Sequence, residues 1–483
     1  MKALAHPTRS VKVILFVLLV LALTVSAANA WGNYQQEEFL KTIKGKAPTR
    51  KGDVKAEVIN ASPIHPVSLA AAPSVGFTPQ IRLGFDVGDQ WEPAIAADRF
   101  GHVYLLYPQY EGVPGCPACS NPTQILQVSN DRGQNWGSPR VVSPAGATTG
   151  GQWDPQIAVD PVDGKTVYVT FMQNNKSDII VGKSTDFGVN WSFVTSDATN
   201  AGTDKPILAV RGQDVYVVYT HAQTTFAAFS HDGGETFKEV KVSKGGRLGW
   251  ALAGGGTVTP NGDVFFSWAG YEGNGGASGN VNLYVSKSTD EGETWTSKVI
   301  DVSSSPPQCP EFLCGWAYLG AQMVMTSDAN GTLYLLWNAG SAPTGPERIY
   351  FAKSTDGGNT YTSKVDVSTA QAGTHHNFPA IVAVGNGDVR ISWMDARAAS
   401  AIGGLDRWNV YYRSSTNGGS TWSSEVDLSS PVSGFSYIFN DGFRFPFGDY
   451  YEIDVDEQGT NHVIFGIGFD YNAPGSVWYV KGK

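Results

Sequence analysis

The sequence predicts an all-β fold built from repeats of one four-stranded sheet, and three observations support this. Short runs of β-branched and aromatic residues recur from about Thr78 onward, separated by Gly, Asp and Asn turns. An octapeptide, Ser-x-Asp-x-Gly-x-x-aromatic, occurs six times, once with Asn in place of Asp. Every copy occupies the same place in a longer repeating unit, and a period of a few tens of residues indicates an array of one supersecondary element.

Each unit is predicted to begin with two strands joined by a tight turn, followed by a third strand. The seven predicted hairpins are at 93–107, 157–171, 207–219, 255–268, 322–337, 381–393 and 453–465. The third strands follow at 124–128, 179–183, 226–229, 282–285, 348–352, 409–413 and 477–480. After the first six comes the octapeptide and then a fourth strand, as at 297–301 and 363–366.

The seventh unit has no octapeptide and no fourth strand, but a matching strand precedes the first hairpin at 79–85. An N-terminal strand that completes the C-terminal unit closes a ring and removes the exposed edge of a linear array. The count predicts a seven-bladed β-propeller of four-stranded antiparallel blades, with six blades as the alternative.

The composition of the octapeptide suits a turn between the third and fourth strands, which we call the octapeptide turn. Its Asp can accept hydrogen bonds from the following backbone amides, and its Gly supplies a backbone angle that other residues resist. The Ser hydroxyl ties the entering strand, and the aromatic residue is expected to be buried between sheets. A structural role is therefore predicted for Asp131, Asp186, Asp232, Asp290, Asp356 and Asn417.

The first 30 residues resemble a cleaved export signal. Lys2, Arg9 and Lys12 precede an apolar run at 13–23, which is too short to span a bilayer, and Ala28-Asn29-Ala30 suits cleavage. We expect a secreted or periplasmic protein cleaved near Ala30. Residues 31–77 are interpreted as a linker with a short helix at 37–44, and residues 78–483 as the repeat domain.

The net charge limits the classes of binding partner that the sequence predicts. A formal net charge of −10 argues against nucleic acid and anionic membrane surfaces, which bind clustered Lys and Arg. No later stretch is predicted to insert into a membrane.

The four cysteines are predicted to form disulfides that link loops, with a redox Cys-x-x-Cys or a four-Cys zinc site as alternatives. They lie in two close pairs, Cys116 with Cys119 and Cys309 with Cys314.

The octapeptide is similar to the Asp box, and residues 78–483 resemble the Asp-box (BNR-repeat) β-propellers, of which sialidases are the best-known members. That family also includes other glycoside hydrolases, polysaccharide lyases and proteins without enzymatic activity. Sialidases place an Arg-Ile-Pro sequence at the start of the first inner strand, where this chain has Trp91-Glu92-Pro93, and only Arg82 lies nearby. The resemblance therefore does not assign the sialidase arginine triad to residues of this chain.

Loops that enter the inner strands, and loops between second and third strands, are expected on the face opposite the octapeptide turns. Glycoside hydrolysis commonly uses two carboxylates about 5–10 Å apart, and the catalytic candidates on these loops are Glu92, Asp154, Asp395 and Asp449. Aromatic and cationic side chains could bind a sugar. The candidates are Trp91, Trp153, Trp250, Trp316, Arg397, Arg407 and Arg444.

A metal at His375-His376 is not favoured, because neighbouring residues of a strand point to opposite faces. No metal and no cofactor are predicted. Two hypotheses remain. In one, the open face binds a carbohydrate or another extracellular polymer and hydrolyses it as a sialidase-like glycoside hydrolase. In the other, the chain is a non-catalytic scaffold that recognises a glycan or protein partner, with the acids held by arginines.

Overall fold

A computed structural model describes residues 76–143, 150–197, 202–221, 224–243, 250–273, 278–307, 319–405, 407–429, 432–433, 448–467 and 475–483. These residues form β-strands and turns and contain no α-helix. Accordingly, no helix in the described ranges could cross a membrane.

Seven antiparallel sheets follow one another along the described chain, and we number them as blades from the first complete sheet. A short strand, β1 (Ile81–Leu83), precedes them. Blade 1 contains β2 (Ala94–Ala97), β3 (Val103–Gln109), β4 (Thr123–Ser129) and β5 (Arg140–Val141). Blade 2 contains β6 (Trp153–Val159), β7 (Val167–Gln173), β8 (Asp178–Ser184) and β9 (Ser192–Thr195). Blade 3 contains β10 (Thr203–Arg211), β11 (Asp214–His221), β12 (Thr224–Ser230) and β13 (Lys238–Lys241).

The same order of strands continues in the second half of the chain. Blade 4 contains β14 (Trp250–Val258), β15 (Val264–Tyr271), β16 (Val281–Ser288) and β17 (Thr296–Ser303). Blade 5 contains β18 (Met323–Ser327), β19 (Leu333–Gly340), β20 (Glu347–Ser354) and β21 (Val365–Asp366). Blade 6 contains β22 (His376–Val384), β23 (Asp388–Asp395), β24 (Arg407–Ser415) and β25 (Val426–Asp427), with β26 (Val432–Ser433) also paired to β24. Blade 7 contains β27 (Glu452–Val455), β28 (Asn461–Ile467) and β29 (Ser476–Gly482).

The N-terminal strand closes the ring, as predicted. β1 pairs antiparallel with β29, with Leu83 opposite Val477, so it is the fourth strand of blade 7. The junction is apolar, because Leu105 of blade 1 packs in one buried cluster with Ile464 and Tyr479 of blade 7. Burial of an aliphatic or aromatic side chain contributes about 1.5–3 kcal/mol. The seven-bladed, four-stranded all-β architecture is therefore confirmed.

The outermost strands differ in length from the prediction. The closing strand covers Ile81–Leu83 rather than 79–85, β21 covers Val365–Asp366 rather than 363–366, and β17 is longer, at Thr296–Ser303 rather than 297–301. An outermost strand has one unpaired edge, and both residues of β21 are exposed. Without a buried face to fix its register, the length over which such a strand pairs is weakly specified.

The octapeptide turns have the geometry that their composition predicts. In the turn of blade 4, Ser288 Oγ donates to Asp290 Oδ1 and accepts from Gly292 N, and Asp290 Oδ1 accepts from Thr294 N at 2.9 Å. The Gly has a positive φ, +92° at Gly292, and so does the residue before it. The aromatic residue is fully buried at Trp295, whereas Trp136, Trp191, Phe237, Tyr361 and Trp422 are only partly buried.

The inner strands surround an axial channel that opens on both faces of the ring. On the side of the octapeptide turns the channel widens into a cavity of ≈ 860 Å³, lined by inner-strand residues such as Ala97, Val159, Val210 and Asp454. On the other side a cavity of ≈ 170 Å³ is lined by Asp154, Lys205 and Asp449, among other residues. We call this second opening the mouth. Beside the rim of blade 1, Cys116 and Cys119 form a disulfide.

Candidate functional site: an acidic cluster at the mouth of the channel

Three consecutive blades place a charged residue at the same position of the mouth. Glu92, Asp154 and Lys205 each precede a proline and each has a left-handed backbone, with φ of +48°, +50° and +50°. In blades 2 and 3 this residue lies within a β-bulge of the inner strand. A non-glycine residue in this region costs about 1–3 kcal/mol, and such strain concentrates at functional sites. The fold therefore holds these side chains in the mouth at an energetic cost.

The Lys205 ammonium lies between carboxylates from three other blades. Its Nζ atom lies 2.6 Å from Asp449 Oδ1, 3.6 Å from Glu92 Oε1 and 3.7 Å from Asp154 Oδ2. All four side chains are buried or nearly so, and Glu92 is 1% exposed. Because each carboxylate lies within 3.7 Å of one nitrogen, no two of these oxygens are separated by more than twice that distance. We call these four residues the mouth cluster.

The electrostatics of the mouth cluster favour a proton on Glu92. Burial, followed by the charge of Asp449, raises the pKa of Glu92 well above its ordinary value of 4.5. Burial alone would lower the pKa of Lys205, but the charges of Asp154, Asp449 and Glu92 outweigh it and raise that pKa well above 10.5. The cluster thus favours the charged form of Lys205 and the uncharged form of Glu92.

Further polar and aromatic groups surround the mouth cluster. The ring of Tyr450 lies 4.7 Å from Lys205 Nζ, a cation–π contact. Gln322 of blade 5 donates from Nε2 to the backbone oxygen of Asp449 at 2.8 Å. In blade 3, Asp204 is paired with Lys176 at 3.2 Å. The cluster is therefore fixed by neighbours from several blades.

The structure places the fourth catalytic candidate, Asp395, outside the mouth cluster. Its carboxylate is 0% exposed and accepts hydrogen bonds from Trp393 Nε1 at 3.0 Å and from the guanidinium of Arg397 at 2.6–3.2 Å. Arg397 also binds Glu425 at 2.7 Å and lies over the ring of Tyr411 at 3.6 Å. Arg397, a predicted sugar-binding residue, thus holds a separate ion-pair network in blade 6.

The predicted aromatic platform is not formed by the two tryptophans that the structure describes at the rim. Trp91 is 0% exposed and Trp153 is 3% exposed, so neither ring is available for stacking. Arg407 is exposed at the start of β24 and does not line the mouth cavity. The remaining predicted side chains lie outside the described part of the chain, namely those of Trp250, Trp316, Arg444, Cys309 and Cys314.

The histidine pair also lies in blade 6. His376 is buried, and its Nε2 is 2.7 Å from Ser368 Oγ and 3.6 Å from Asp395. Burial lowers the pKa of His376 to about 4. Within the described ranges, no group of three or more His, Cys, Asp or Glu side chains is arranged to hold a metal ion.

Lys205, the central residue of the cluster, and Tyr450 lie on loops that the sequence places at this face, but neither they nor Gln322 were assigned a catalytic or sugar-binding role. One sequence signal could have identified the lysine. Lys205-Pro206 stands at the same place in its unit as Glu92-Pro93 and Asp154-Pro155, and the structure gives all three the same backbone. Gln322 and Tyr450 have no such signal, because they are brought in from blades 5 and 7.

Comparisons with known proteins show distant similarity of fold. No protein-family model and no curated protein sequence matches the chain. An ulvan lyase of polysaccharide lyase family 25, bound to -[GlcA(1-4)Rha3S]-, is 12% identical over 82% of this chain and 95% of its own, with a TM-score of 0.48. A protein of unknown function from Dyadobacter fermentans is 14% identical over 84% and 98%, with a TM-score of 0.46. The intramolecular trans-sialidase from Ruminococcus gnavus is 13% identical over 83% and 97%, with a TM-score of 0.43.

Likenesses this remote give no information about activity. The chain's own strands and contacts define its class, a seven-bladed β-propeller whose channel opens at a buried cluster of three carboxylates and one lysine. Any chemistry at the mouth would depend on the side chains of that cluster.

Proposed function

We propose that this chain is an exported Asp-box propeller that binds a carbohydrate of an extracellular polymer at the mouth and hydrolyses a glycosidic bond there. The observation that carries the proposal is the convergence of Glu92, Asp154 and Asp449, from three blades, beside one cavity. Export follows from the signal pattern at 1–30. It is tested by sequencing the N-terminus of the protein recovered outside the cytoplasm, where cleavage near Ala30 is expected.

The proposed roles follow from exposure and protonation. Asp154 and Asp449 line the cavity and would face the sugar, whereas Glu92 lies behind them and does not line it. Their contacts with Lys205 place the carboxylate oxygens closer together than the upper limit of about 10 Å that glycosidases use for an acid and a base or nucleophile. Glu92, with its raised pKa, would hold a proton that Asp449 passes to the leaving oxygen as the glycosidic C–O bond breaks. Asp154 would act as the base, taking a proton from the water whose oxygen bonds to the anomeric carbon.

A non-catalytic binding role is the second candidate, and two observations favour it. Lys205 occupies the space between the carboxylates, so the acids are already engaged. Asp395 is likewise held by Arg397 at 2.6 Å, in line with the scaffold hypothesis, in which arginines engage the acids. In this case the mouth would recognise the polymer without cleaving it, and the mouth cluster would shape the rim.

A glycan-array screen of the full chain, followed by product analysis on each hit, separates the two roles. For a hydrolase, Asp449→Asn and Asp154→Asn should lower turnover by at least 100-fold at saturating glycan. Glu293→Gln is the matched control, since it removes one carboxylate from an exposed site in the octapeptide turn of blade 4. Thermal melting of each variant verifies that it is folded.

Each result has a definite meaning for the two candidates. Binding without product from the wild-type protein supports the scaffold role and excludes hydrolysis of that glycan. Unchanged turnover in both aspartate variants overturns the site assignment. Failure of the wild-type protein to bind any carbohydrate on the array overturns the proposed function.

A further inference from the structure

The mouth is charged on one side only. Blades 7, 1, 2 and 3 supply the mouth cluster, while blades 4, 5 and 6 line the same cavity with uncharged residues. These include Gly254–Gly256 of blade 4, Met323 of blade 5, and Pro379 and Ala380 of blade 6. A ligand that fills this cavity therefore meets acids on one side and a smooth, weakly polar wall on the other.

The charged side has an excess of carboxylates. Asp154, Asp449 and Glu452 line the cavity together with Lys205, and its described lining contains no arginine. Glu92 is 1% exposed, lies 3.6 Å from Lys205 Nζ and does not line the cavity, so a ligand would meet the carboxylates of Asp154 and Asp449 instead. These acids suit a ligand that brings hydrogen-bond donors and positive charge.

The contacts of Lys205 show which cation these groups suit. Its ammonium is held by a carboxylate at 2.6 Å, two more at 3.6–3.7 Å, and the face of Tyr450 at 4.7 Å. Carboxylates combined with an aromatic face are a common way for proteins to bind an ammonium group.

We infer that the sugar unit bound at the mouth carries a free amine, whose ammonium lies against Asp154 and Asp449 while the ring packs on Gly254–Gly256 and Ala380. This inference rests on the proposed function and names its substrate class. Asp154 and Asp449 line the cavity beside a single lysine, so a ligand ammonium meets more acids than cations there. A uronic or sialic acid would instead bring another carboxylate to the same side.

The test compares sugars whose charge is changed at one substituent. The full chain is screened on an array of oligosaccharides, in several linkages, presented as free amines, as their N-acetyl counterparts and as uronic acids. The best amine and its N-acetyl partner are then measured by calorimetry at two salt concentrations. We expect the amine to bind at least 10-fold more tightly, and the ratio to shrink at high salt because screening weakens the attraction.

Two variants locate the effect at the mouth. Asp449→Asn and Asp154→Asn should each weaken binding of the amine by at least 10-fold and that of the N-acetyl sugar much less, whereas Glu293→Gln should change neither. The salt dependence of the wild-type protein tests the inference even if both variants fail to fold.

The possible failures are distinguishable. Equal or tighter binding of N-acetyl sugars or uronic acids, or an amine preference that persists in the aspartate variants, overturns the inference and leaves the proposed function standing. Absence of binding to every carbohydrate on the array overturns both.

Discussion

The two faces of this propeller are built on opposite principles. On the face of the octapeptide turns, six blades repeat the same contacts, and the first oxygen of the acid or amide accepts from the backbone amide four residues on at 2.8–3.0 Å in every copy. At the mouth, the position that precedes the inner-strand proline is Glu92, Asp154 or Lys205, and in blade 6 it is Phe378. Repetition identifies the scaffold here, and divergence at an equivalent position identifies the site.

Residues with a left-handed backbone occur on both faces, but their side chains differ. In three octapeptide turns the residue before the Gly is itself glycine, which adopts this conformation without steric cost. At the mouth the same region of conformation is occupied by charged side chains and by Phe378, each followed by proline. Strain at the mouth thus accompanies charge in blades 1 to 3. In the octapeptide turns, half of the copies avoid it with glycine and the other half have Arg132, Phe187 or Glu291.

The largest difference between the faces should appear when a lysine is removed from each. Lys205→Met leaves three buried carboxylates without their cation and should reduce the free energy of unfolding by about 3–5 kcal/mol. Lys238→Met is the control, since Lys238 forms an exposed pair with Glu293, is 71% exposed, and should contribute about 0–0.5 kcal/mol. Urea denaturation at neutral pH measures both values. Similar losses would show that Lys205 stabilises the fold no more than an exposed lysine does.

A glycine pair tests the packing of the octapeptide turns. Gly292 and Gly262 have nearly the same φ, +92° and +89°, but a Cβ at Gly292 would lie 3.0 Å from Tyr216, while one at Gly262 would have no neighbour within 4 Å. Gly262→Ala should therefore cost about 1 kcal/mol from backbone strain alone. Gly292→Ala should cost about 2–3 kcal/mol, since overpacking is added. Equal losses in urea denaturation would mean that the turn adjusts without disturbing the ring of Tyr216.

On the channel side of the mouth, Glu452 is expected to make stability depend on pH. Its Oε2 accepts from Ile95 N at 2.9 Å, and burial raises the pKa of Glu452 from 4.5 to about 8. Between these values the unfolded chain loses a proton that the folded chain keeps, so this residue lowers the free energy of unfolding as pH rises from 4.5 to 8. Glu452→Gln should remove the dependence.

The variant should therefore gain on the order of 2 kcal/mol relative to the wild-type protein between pH 5 and pH 8. Urea denaturation at the two values measures the gain. Asp454, whose pKa is raised to about 6, remains in both proteins and cancels in the difference. A constant difference across this range would show that Glu452 is ionised in the folded protein at both pH values.

Most of the fold could be predicted from the sequence because the octapeptide turns repeat. Six copies of one turn define the unit, and the mismatch between seven hairpins and six turns led to the closing strand, which pairs as expected from Ile81 to Leu83. The lengths of the outer strands could not be predicted in this way, because an exposed edge has no side-chain pattern to fix its pairing.

The candidate site was predicted only in part, for a physical reason. Glu92, Asp154 and Asp449 were selected because the loops of a ring converge on its axis, and they do converge. Asp395 is on a loop of the same face but lies beside Arg397, and no sequence pattern shows whether a loop acid faces the axis or a neighbouring side chain. The burial of Trp91 and Trp153 likewise depends on packing between blades.

The smallest expected effect concerns one of the three octapeptide turns in which the residue before the Gly is not glycine. Glu291 has a φ of +59° and an exposed side chain, at a position where Gly233, Gly357 and Gly418 stand in other blades. Glu291→Gly removes the strain of a left-handed non-glycine residue, which is about 1 kcal/mol. Glycine also gives the unfolded chain more conformational entropy, which destabilises the folded state by about 0.5 kcal/mol. The net gain in the free energy of unfolding should be about 0.5 kcal/mol by urea denaturation. Glu291→Ala keeps the strain and should gain nothing. If alanine stabilises as much as glycine, the cost at this position comes from the charge of Glu291 rather than its backbone, and the contrast between relaxed turns and a strained mouth would then rest on the mouth alone.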